Sequence, residues 1–264
     1  MRVRFPSGAP FGKNMMKKAL LPTLIVSLSL ASCSILNMGK NSLDGPFFKV
    51  SFKQANTDIV FIDSYTNEEK DGYELKEISP FVEYTYYEFK DLSYISSPEN
   101  DYSIGVNNSS NGITTTNFFK YTFEMQNRGD ETGGFEIKIS YKEKSSGSLK
   151  ISDVLRVMFI SDFYFDVFAK KSSTSHIGAN GEVSYWSPIA VPEDQATSQY
   201  PFVGYAREFP SNSVIANIGR TGFWAGDVCP CTILIWLEGF DEDSQNALSP
   251  LEGTLKISVD IEAY

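Results

Sequence analysis

Two thiols separated by one residue form the segment of this chain with the clearest potential for chemistry. Cys229 and Cys231 flank Pro230, and a disulfide between them would close a small, strained ring that is easily reduced. Thiolates at this spacing could instead bind a soft metal such as copper or zinc, but the chain's single histidine, His176, leaves the usual four-ligand set short. Two buried thiols at the start of a strand are the third interpretation. The sequence leaves all three open.

An acidic turn is the second candidate for chemistry. Asp241 and Asp243 flank Glu242, just after Gly239. Calcium takes six to eight oxygen ligands, but the spaced Asp or Asn residues and the distal glutamate of a calcium loop are absent from this segment. We therefore expect a solvated acidic turn. No metal or other cofactor is predicted, and the residues to inspect for one are Asp241, Asp243, Cys229 and Cys231.

Catalytic groups are not identified by any spacing. His176 lies among serine and threonine residues in a segment of loop character, and no nucleophile elbow of the Gly-x-Ser-x-Gly type accompanies it. A carboxylate pair of the glycosidase kind needs two acids that meet in space, and the sequence nominates no such pair. We predict a non-catalytic protein, and a hydrolase with an unrecognised carboxylate site is the last alternative.

Aromatic side chains near predicted loops and strand ends are the candidates for ligand contact. Flat rings stack on sugars or anchor a protein partner, and Tyr and Trp are enriched at interfaces. Trp236 is different, because the apolar residues of 233–237 surround it and predict a core position. The candidate contact residues are Tyr185, Trp186, Tyr200, Phe202, Tyr205 and Trp224.

The elements that position these residues are predicted to be β-strands. Apolar and polar residues alternate with period two over 119–126 and 135–142, which predicts two strands joined by a glycine-rich turn, and again over 254–262. Segments 154–160 and 231–237 are apolar almost throughout, as in strands covered on both faces. Further strands are predicted at 47–53, 58–62, 81–89 and 163–168.

About nine strands and no long amphipathic helix predict an all-β, two-sheet antiparallel sandwich with jelly-roll or immunoglobulin-like topology. Polar stretches rich in Ser, Asn, Gly and Pro separate the strands. They predict long surface loops, where binding function usually lies. The predicted loops are 96–116, 170–181 and 187–213.

One stretch resembles a known family. Residues 233–241 (ILIWLEGFD), followed after a polar loop by the strand at 253–261, resemble the C-terminal signature of TasA/camelysin-like secreted β-sandwich proteins. Residues 121–127 with 134–141, and 155–160, resemble strands of the same domains. The resemblance implies a jelly roll at the cell surface or in extracellular matrix, and some relatives form fibres by strand exchange. Those relatives usually have a leader without an acylated cysteine, and here a long loop precedes the signature, so fibre formation is not carried over.

The N-terminal segment has the features of a processed leader. Lys17 and Lys18 precede an apolar run, residues 19–30, that is too short to span a bilayer. The junction Leu30-Ala31-Ser32-Cys33 resembles the bacterial lipobox, which implies cleavage before Cys33 and a diacylglyceryl group on its sulfur. Several acyl chains matter for anchoring, because one chain binds membranes only marginally and each buried methylene adds about 0.8 kcal/mol. The alternative is an uncleaved apolar segment with a chance cysteine.

We expect a signal peptide over 1–32, a lipidated tether over 33–44 and a single β-sandwich domain over 45–264. Residues 1–14 resemble the conceptual translation of the 3′ arm of a transfer-RNA gene, so we expect translation to start at Met15 or Met16. Cleavage removes five of the 23 basic residues and none of the 33 acidic ones, which leaves 18 basic against 33 acidic residues and a net charge of −15.

Such a charge opposes binding to nucleic acid or to an anionic lipid surface. The predicted partners are the membrane, through the lipid anchor, and an extracellular protein or glycan. We therefore expect a bacterial cell-membrane lipoprotein that faces away from the cytoplasm and presents its loops for adhesion or for binding matrix components and partners. A carbohydrate- or solute-binding lipoprotein is the alternative, and it requires a concave pocket lined by aromatic residues.

Overall fold

The structure is a computed structural model, and it describes residues 46–55, 58–64, 66–75, 86, 108–110, 113–115, 118–145, 150–173, 175–177, 181, 183–241 and 253–264. Within these ranges nearly all regular structure is β-strand. One short helix, α1 (Ile151–Val154), and a single 3-10 turn at Glu193–Gln195 are the exceptions. The strands are β1 (Phe48–Gln54), β2 (Ile59–Asp63), β3 (Glu68–Glu69), β4 (Gly72–Leu75), β5 (Asn108–Ser110), β6 (Ile113–Thr115), β7 (Phe118–Asn127), β8 (Gly133–Ser145), β9 (Leu155–Ser161), β10 (Phe165–Ala169), β11 (His176–Ile177), β12 (Val183–Ser184), β13 (Arg207–Glu208), β14 (Val214–Phe223), β15 (Val228–Leu237) and β16 (Gly253–Ala263).

Two large sheets pack face to face, which confirms the predicted all-β sandwich. The five-stranded sheet has the order β14-β8-β16-β1-β4, and the seven-stranded sheet has the order β13-β10-β9-β15-β7-β2-β3. Most neighbouring strands are antiparallel, but β1 lies parallel to β16 and β10 lies parallel to β13. Parallel neighbours need long connections, and nearly the whole domain separates β1 from β16.

The strand pairs are nested in the manner of a jelly roll. β1 pairs with β16, β7 with β15, β8 with β14, and β9 with β10. The first strand therefore lies beside the last one, and each later pair lies inside the previous pair along the chain. Of the two predicted topologies, this nesting resembles the jelly roll, with three antiparallel inner pairs and one departure, the parallel outer pair of β1 and β16.

The predicted turn between β7 and β8 is a crossover between the sheets and not a hairpin. Both strands form where the alternation predicts them, but β7 belongs to the seven-stranded sheet and β8 to the five-stranded sheet. Their apolar rows face the same core from opposite sides. The glycines are needed for this close approach, because a Cβ on Gly133 would lie 2.8 Å from Ile59 Cδ1, and one on Gly134 would lie 2.8 Å from the Arg220 carbonyl oxygen.

The main core lies between the two sheets and is rich in aromatic rings. Phe48 packs against Phe119 and Tyr121, with ring centroids 4.6 and 5.3 Å apart. A second apolar cluster lies on the outer face of the seven-stranded sheet, where Leu234 and Trp236 pack with Met158, Val167, Ala169 and Ala206. β9 and β15 are therefore covered on both faces, as their apolar sequences predict. Trp236 is buried, as predicted, but in the outer cluster.

Some sequence predictions have different outcomes. β14 was not predicted, because it is an edge strand interrupted by Asn217, Gly219 and Gly222, with register shifts near each end. The predicted strand at 81–89 lies outside the described residues except for Tyr86, and the leader, Cys33 and the tether also lie outside them. No helix among the described residues is long and apolar enough to cross a membrane.

Candidate functional site

A long loop covers the outer face of the seven-stranded sheet and carries most of the candidate contact residues. We call residues 185–206 the cover loop. Arg156 in β9, which is completely buried, holds this loop in place. Its Nε and Nη2 atoms donate hydrogen bonds of 3.1 and 2.9 Å to the Pro188 carbonyl oxygen, and Nη1 donates to the Leu155 carbonyl oxygen at 3.2 Å. Pro188 in turn forms a β-bridge with Tyr205, so both ends of the cover loop are fixed.

The cation of Arg156 is balanced by a buried carboxylate. Arg156 Nη2 lies 2.6 Å from Asp241 Oδ2, and the Asp241 side chain is only 10% exposed. The expectation that Asp241 belongs to a solvated acidic turn is therefore wrong. Burial of a guanidinium requires a nearby anion, and Asp241, four residues after the end of β15, supplies one to Arg156. Asp243 and Glu242 lie outside the described residues.

A second buried carboxylate, Glu238, lies beside this ion pair at the end of β15. It accepts hydrogen bonds from Trp236 Nε1 at 3.0 Å, from the Tyr86 backbone N–H at 3.1 Å and from the Phe240 backbone N–H at 3.2 Å. Burial raises the pKa of Glu238 to about 7, although these donors and the charge of Arg156 act in the opposite direction. The carboxyl group therefore joins β15 to the segment that contains Tyr86.

Sequence reasoning did not identify Arg156 or Glu238 as important. Arg156 interrupts an apolar strand, and Glu238 follows one directly. A charged residue inside a strand that is otherwise buried on both faces must have a partner, and this rule is the signal that could have indicated them. The partner of Arg156 lies 85 positions away in the chain, so its identity was not readable.

Tyr185 and Trp186 form an exposed aromatic pair at the start of the cover loop. Their exposed fractions are 48% and 57%, although the backbone beside them is fixed. The Ser172 backbone N–H donates to the Tyr185 carbonyl oxygen at 2.9 Å, and the buried Ser187 hydroxyl donates to the Lys170 carbonyl oxygen. Lys171 Nζ lies 5.8 Å from the centre of the Tyr185 ring. Two large rings are therefore offered to solvent from a rigid support.

The other aromatic candidates have different surroundings. Tyr200 packs against Phe240 and Phe202 packs against Tyr205, with centroid distances of 4.8 and 5.0 Å, so these half-buried rings hold the loop together. Trp224 is 65% exposed but precedes the start of β15, whereas the cover loop lies near its end. β15 is ten residues long, about 30 Å at 3.4 Å per residue, so Trp224 and the cover loop lie near opposite ends of this strand. The six candidates therefore do not form one surface.

The two cysteines lie close together without a bond. Cys229 and Cys231 are both fully buried free thiols, and their Sγ atoms are 3.8 Å apart. Of the three interpretations of this segment, the structure has buried thiols at the start of a strand. Cys229 Sγ also lies 3.0 Å from Asp162 Oδ1, which gives this pair a polar neighbour that the sequence did not indicate.

Other candidates for chemistry are not brought together. Among the described residues, no group of three or more His, Cys, Asp or Glu side chains converges to hold a metal ion. His176 begins the two-residue strand β11 and pairs with Ser184 in β12. The weak metal candidates Asp241, Cys229 and Cys231 are therefore not part of a cluster of three or more such ligands in the described part of the chain.

The outer face of the five-stranded sheet carries a groove of about 510 Å³. Outward side chains of β1, β8, β14 and β16 line it, and Lys53 forms an ion pair with Glu262 across it at 2.9 Å. The alternative of an aromatic-lined sugar pocket is not supported here, because the lining contains no aromatic residue. The lining residues are Ser51, Lys53, Glu136, Ile137, Lys138, Asn217, Ile218, Gly219, Asp260, Ile261 and Glu262.

Comparisons with known proteins give no relative: no protein-family model, no curated protein and no solved structure matches this chain. The lipobox and the TasA/camelysin-like resemblance therefore stay predictions from the sequence.

Proposed function

We propose that the protein is a lipid-anchored, non-catalytic protein of the bacterial cell surface, and that it binds an extracellular protein or glycan through Tyr185 and Trp186. The leader and Cys33 support the anchor, as described above from the sequence. The exposed pair on a fixed loop supports the binding role. The β-sandwich acts as a rigid base that holds this loop against the outer face of the seven-stranded sheet.

The observation that carries the proposal is the combination of exposure and rigidity at Tyr185 and Trp186. Tyr and Trp side chains dominate binding energy at many interfaces because they bury a large area with few rotatable bonds. Ordering a flexible loop on binding costs conformational entropy and so weakens association. A loop that is already ordered in the free protein avoids this entropy cost. Arg156 supplies the order here, since it ties Pro188 to β9 two residues beyond Trp186.

The polar groove on the five-stranded sheet favours a second candidate function, the binding of a polar solute or glycan by hydrogen bonds. Glu136, Lys138 and Asn217 offer carboxylate, ammonium and amide groups in neighbouring positions, because Lys138 pairs with Asn217 and Glu136 lies two residues before Lys138. Sugars bind through such groups, but usually with an aromatic platform as well. The aromatic pair is therefore the preferred site.

The test applies the purified lipoprotein, in detergent micelles, to arrays of glycans and extracellular proteins. We expect a bound partner that is lost when Tyr185→Ala and Trp186→Ala are combined. Trp224→Ala is the matched control, because it removes a similarly exposed indole near the opposite end of β15, and it should leave binding intact. Binding that survives the double substitution and disappears in Asn217→Ala would replace the first candidate with the second.

A further inference from the structure

We propose that Cys229 and Cys231 form a two-thiolate binding site for monovalent copper, Cu(I). Thiolate sulfur is a soft ligand that selects Cu(I), zinc and iron–sulfur clusters. Zinc sites need four ligands, of which at least three come from the protein, and the described residues do not supply such a set around these cysteines. A soft cation that accepts a low coordination number is the ligand that fits two sulfurs.

The positions of the sulfur atoms suit chelation of one cation. Both side chains lie on the same face of β15, because they are two residues apart in a strand, and their Sγ atoms are 3.8 Å apart. A two-coordinate cation holds two thiolates in a nearly linear arrangement, and bonds of about 2.3 Å then place the sulfurs about 4.6 Å apart, so the Sγ atoms must separate by about 0.8 Å when the cation binds. A disulfide, by contrast, requires a separation of about 2.05 Å and would distort a strand that is paired with β7 on this segment. The thiols can therefore take up a cation with little movement.

The site lies at an open end of the sandwich. β9 pairs with β15 only from Cys231 onward, because Cys231 pairs with Ser161, which is the last residue of β9. Pro230, which has no N–H to donate, lies just beyond that limit, and both Pro230 and Val228, two residues before it, are exposed. Asp162, whose side chain is 45% exposed, contacts Cys229 directly. Both thiols are fully buried, so a cation must enter where the partly exposed Asp162 contacts Cys229.

Charged neighbours are placed to accept a proton and to balance the complex. The Cys229 thiol donates to Asp162 Oδ1 at 3.0 Å. Arg220, which extends from β14 in the opposite sheet, binds both oxygens of Asp162 at 3.0 Å and lies 3.6 Å from Asp227 Oδ2. Partial burial lowers the pKa of Arg220, but contacts with Cys229 and Asp162 outweigh it and leave the pKa raised. The guanidinium of Arg220 therefore stays positively charged. It offsets the net negative charge of a complex between two thiolates and one Cu(I).

The binding step is a ligand exchange without oxidation or reduction. Cu(I) forms two Cu–S bonds, both S–H bonds break, and two protons leave the site, the one from Cys229 toward Asp162. Two protons released per copper ion is therefore part of the expected result.

The test titrates the intact lipoprotein in detergent, without oxygen, with Cu(I) held by a chromogenic chelator as competitor. We expect one Cu(I) per chain, two protons released, and a sulfur-to-copper absorption band. Cys229→Ser and Cys231→Ser should each weaken binding by at least 100-fold. Thr232→Ser is the matched control in the same strand and should bind like the native protein. The lipidated Cys33 has no thiol to contribute.

The titration of the native protein tests the site even if a cysteine variant does not fold. Failure of the native chain to compete with the chelator would overturn the site, and so would equal binding by a folded Cys229→Ser variant. Zn(II) bound more tightly than Cu(I) under the same conditions would contradict the low-coordinate soft-metal assignment. These outcomes are independent of the partner bound by Tyr185 and Trp186, which lie at the other end of the sandwich.

Discussion

Arg156 donates two hydrogen bonds to the carbonyl oxygen of Pro188, at 3.1 and 2.9 Å, from β9 in the seven-stranded sheet. This contact joins a core strand to the loop that presents Tyr185 and Trp186. The guanidinium is fully buried and bound to Asp241, so the loop is fixed by an interaction that water does not screen. The proposed binding surface therefore depends on a residue that is remote from it in sequence.

Replacing Arg156 with methionine should destabilise the fold and release the cover loop. Removal of one partner from a buried ion pair leaves the other charge uncompensated and costs about 3–5 kcal/mol. Urea unfolding measures the loss, and hydrogen exchange at Ile189 and Ala206, whose amides are bonded within the loop, measures the release. Arg207→Met is the control, because the Arg207–Asp166 pair is exposed and should contribute less than about 1 kcal/mol. Equal losses of stability and equal changes in hydrogen exchange for the two substitutions would show that Arg156 does not fix the cover loop.

Glu238 should make the stability of the fold depend on pH. Its pKa is raised from the usual 4.5 to about 7, so the folded state holds a proton that the unfolded state has lost between these values. The stabilisation from this group is complete below about pH 4.5 and is lost as the pH rises to about 7. The difference corresponds to about 3 kcal/mol.

The measurement is urea unfolding between pH 4 and pH 8 for the native protein and for Glu238→Gln, whose side chain does not titrate. The free energy of unfolding of the native protein should fall, relative to that of the variant, as the pH rises across this window. Parallel curves for the two proteins would refute a protonated Glu238.

Substitutions in β16 test the position of this strand in the centre of the five-stranded sheet. Ile257 is fully buried between the sheets, so Ile257→Ala should lower the free energy of unfolding by about 2–5 kcal/mol. Its neighbour Ser258 is on the outer face of the same strand, and Ser258→Ala should change stability by less than about 0.5 kcal/mol. Chemical denaturation of the two variants compares them directly. A larger loss at Ser258 would mean that the strand faces the other way.

Much of the fold could be predicted because alternation depends only on which face of a strand is buried. The alternation in β7, β8 and β16, and the apolar runs in β9 and β15, each indicated a strand that the structure contains. Which strands pair was not readable, because pairing depends on contacts between distant segments. The crossover after β7 looks like a hairpin turn for this reason. β14 escaped prediction because an edge strand needs less apolar sequence than a central one.

The candidate site was predicted in part. Tyr185 and Trp186 were identified from residue type and position between strands, and these are the candidates that the cover loop exposes. The other rings could not be separated from them by sequence, since Tyr200 and Phe202 differ from Trp186 only in their packing partners. Arg156, Glu238 and Asp162 were not predicted at all. Their roles depend on burial and on partners that only the folded chain brings near.

Mass spectrometry of the N-terminal peptide, released from protein purified from native membranes, tests the central proposal of a membrane-tethered surface protein most directly. We predict a mature chain that begins at Cys33 and carries a diacylglyceryl thioether on its sulfur, with Cys33→Ala giving unprocessed or unlipidated protein as the control. A free thiol at Cys33, or a chain that retains residues 17–32, would contradict the proposal.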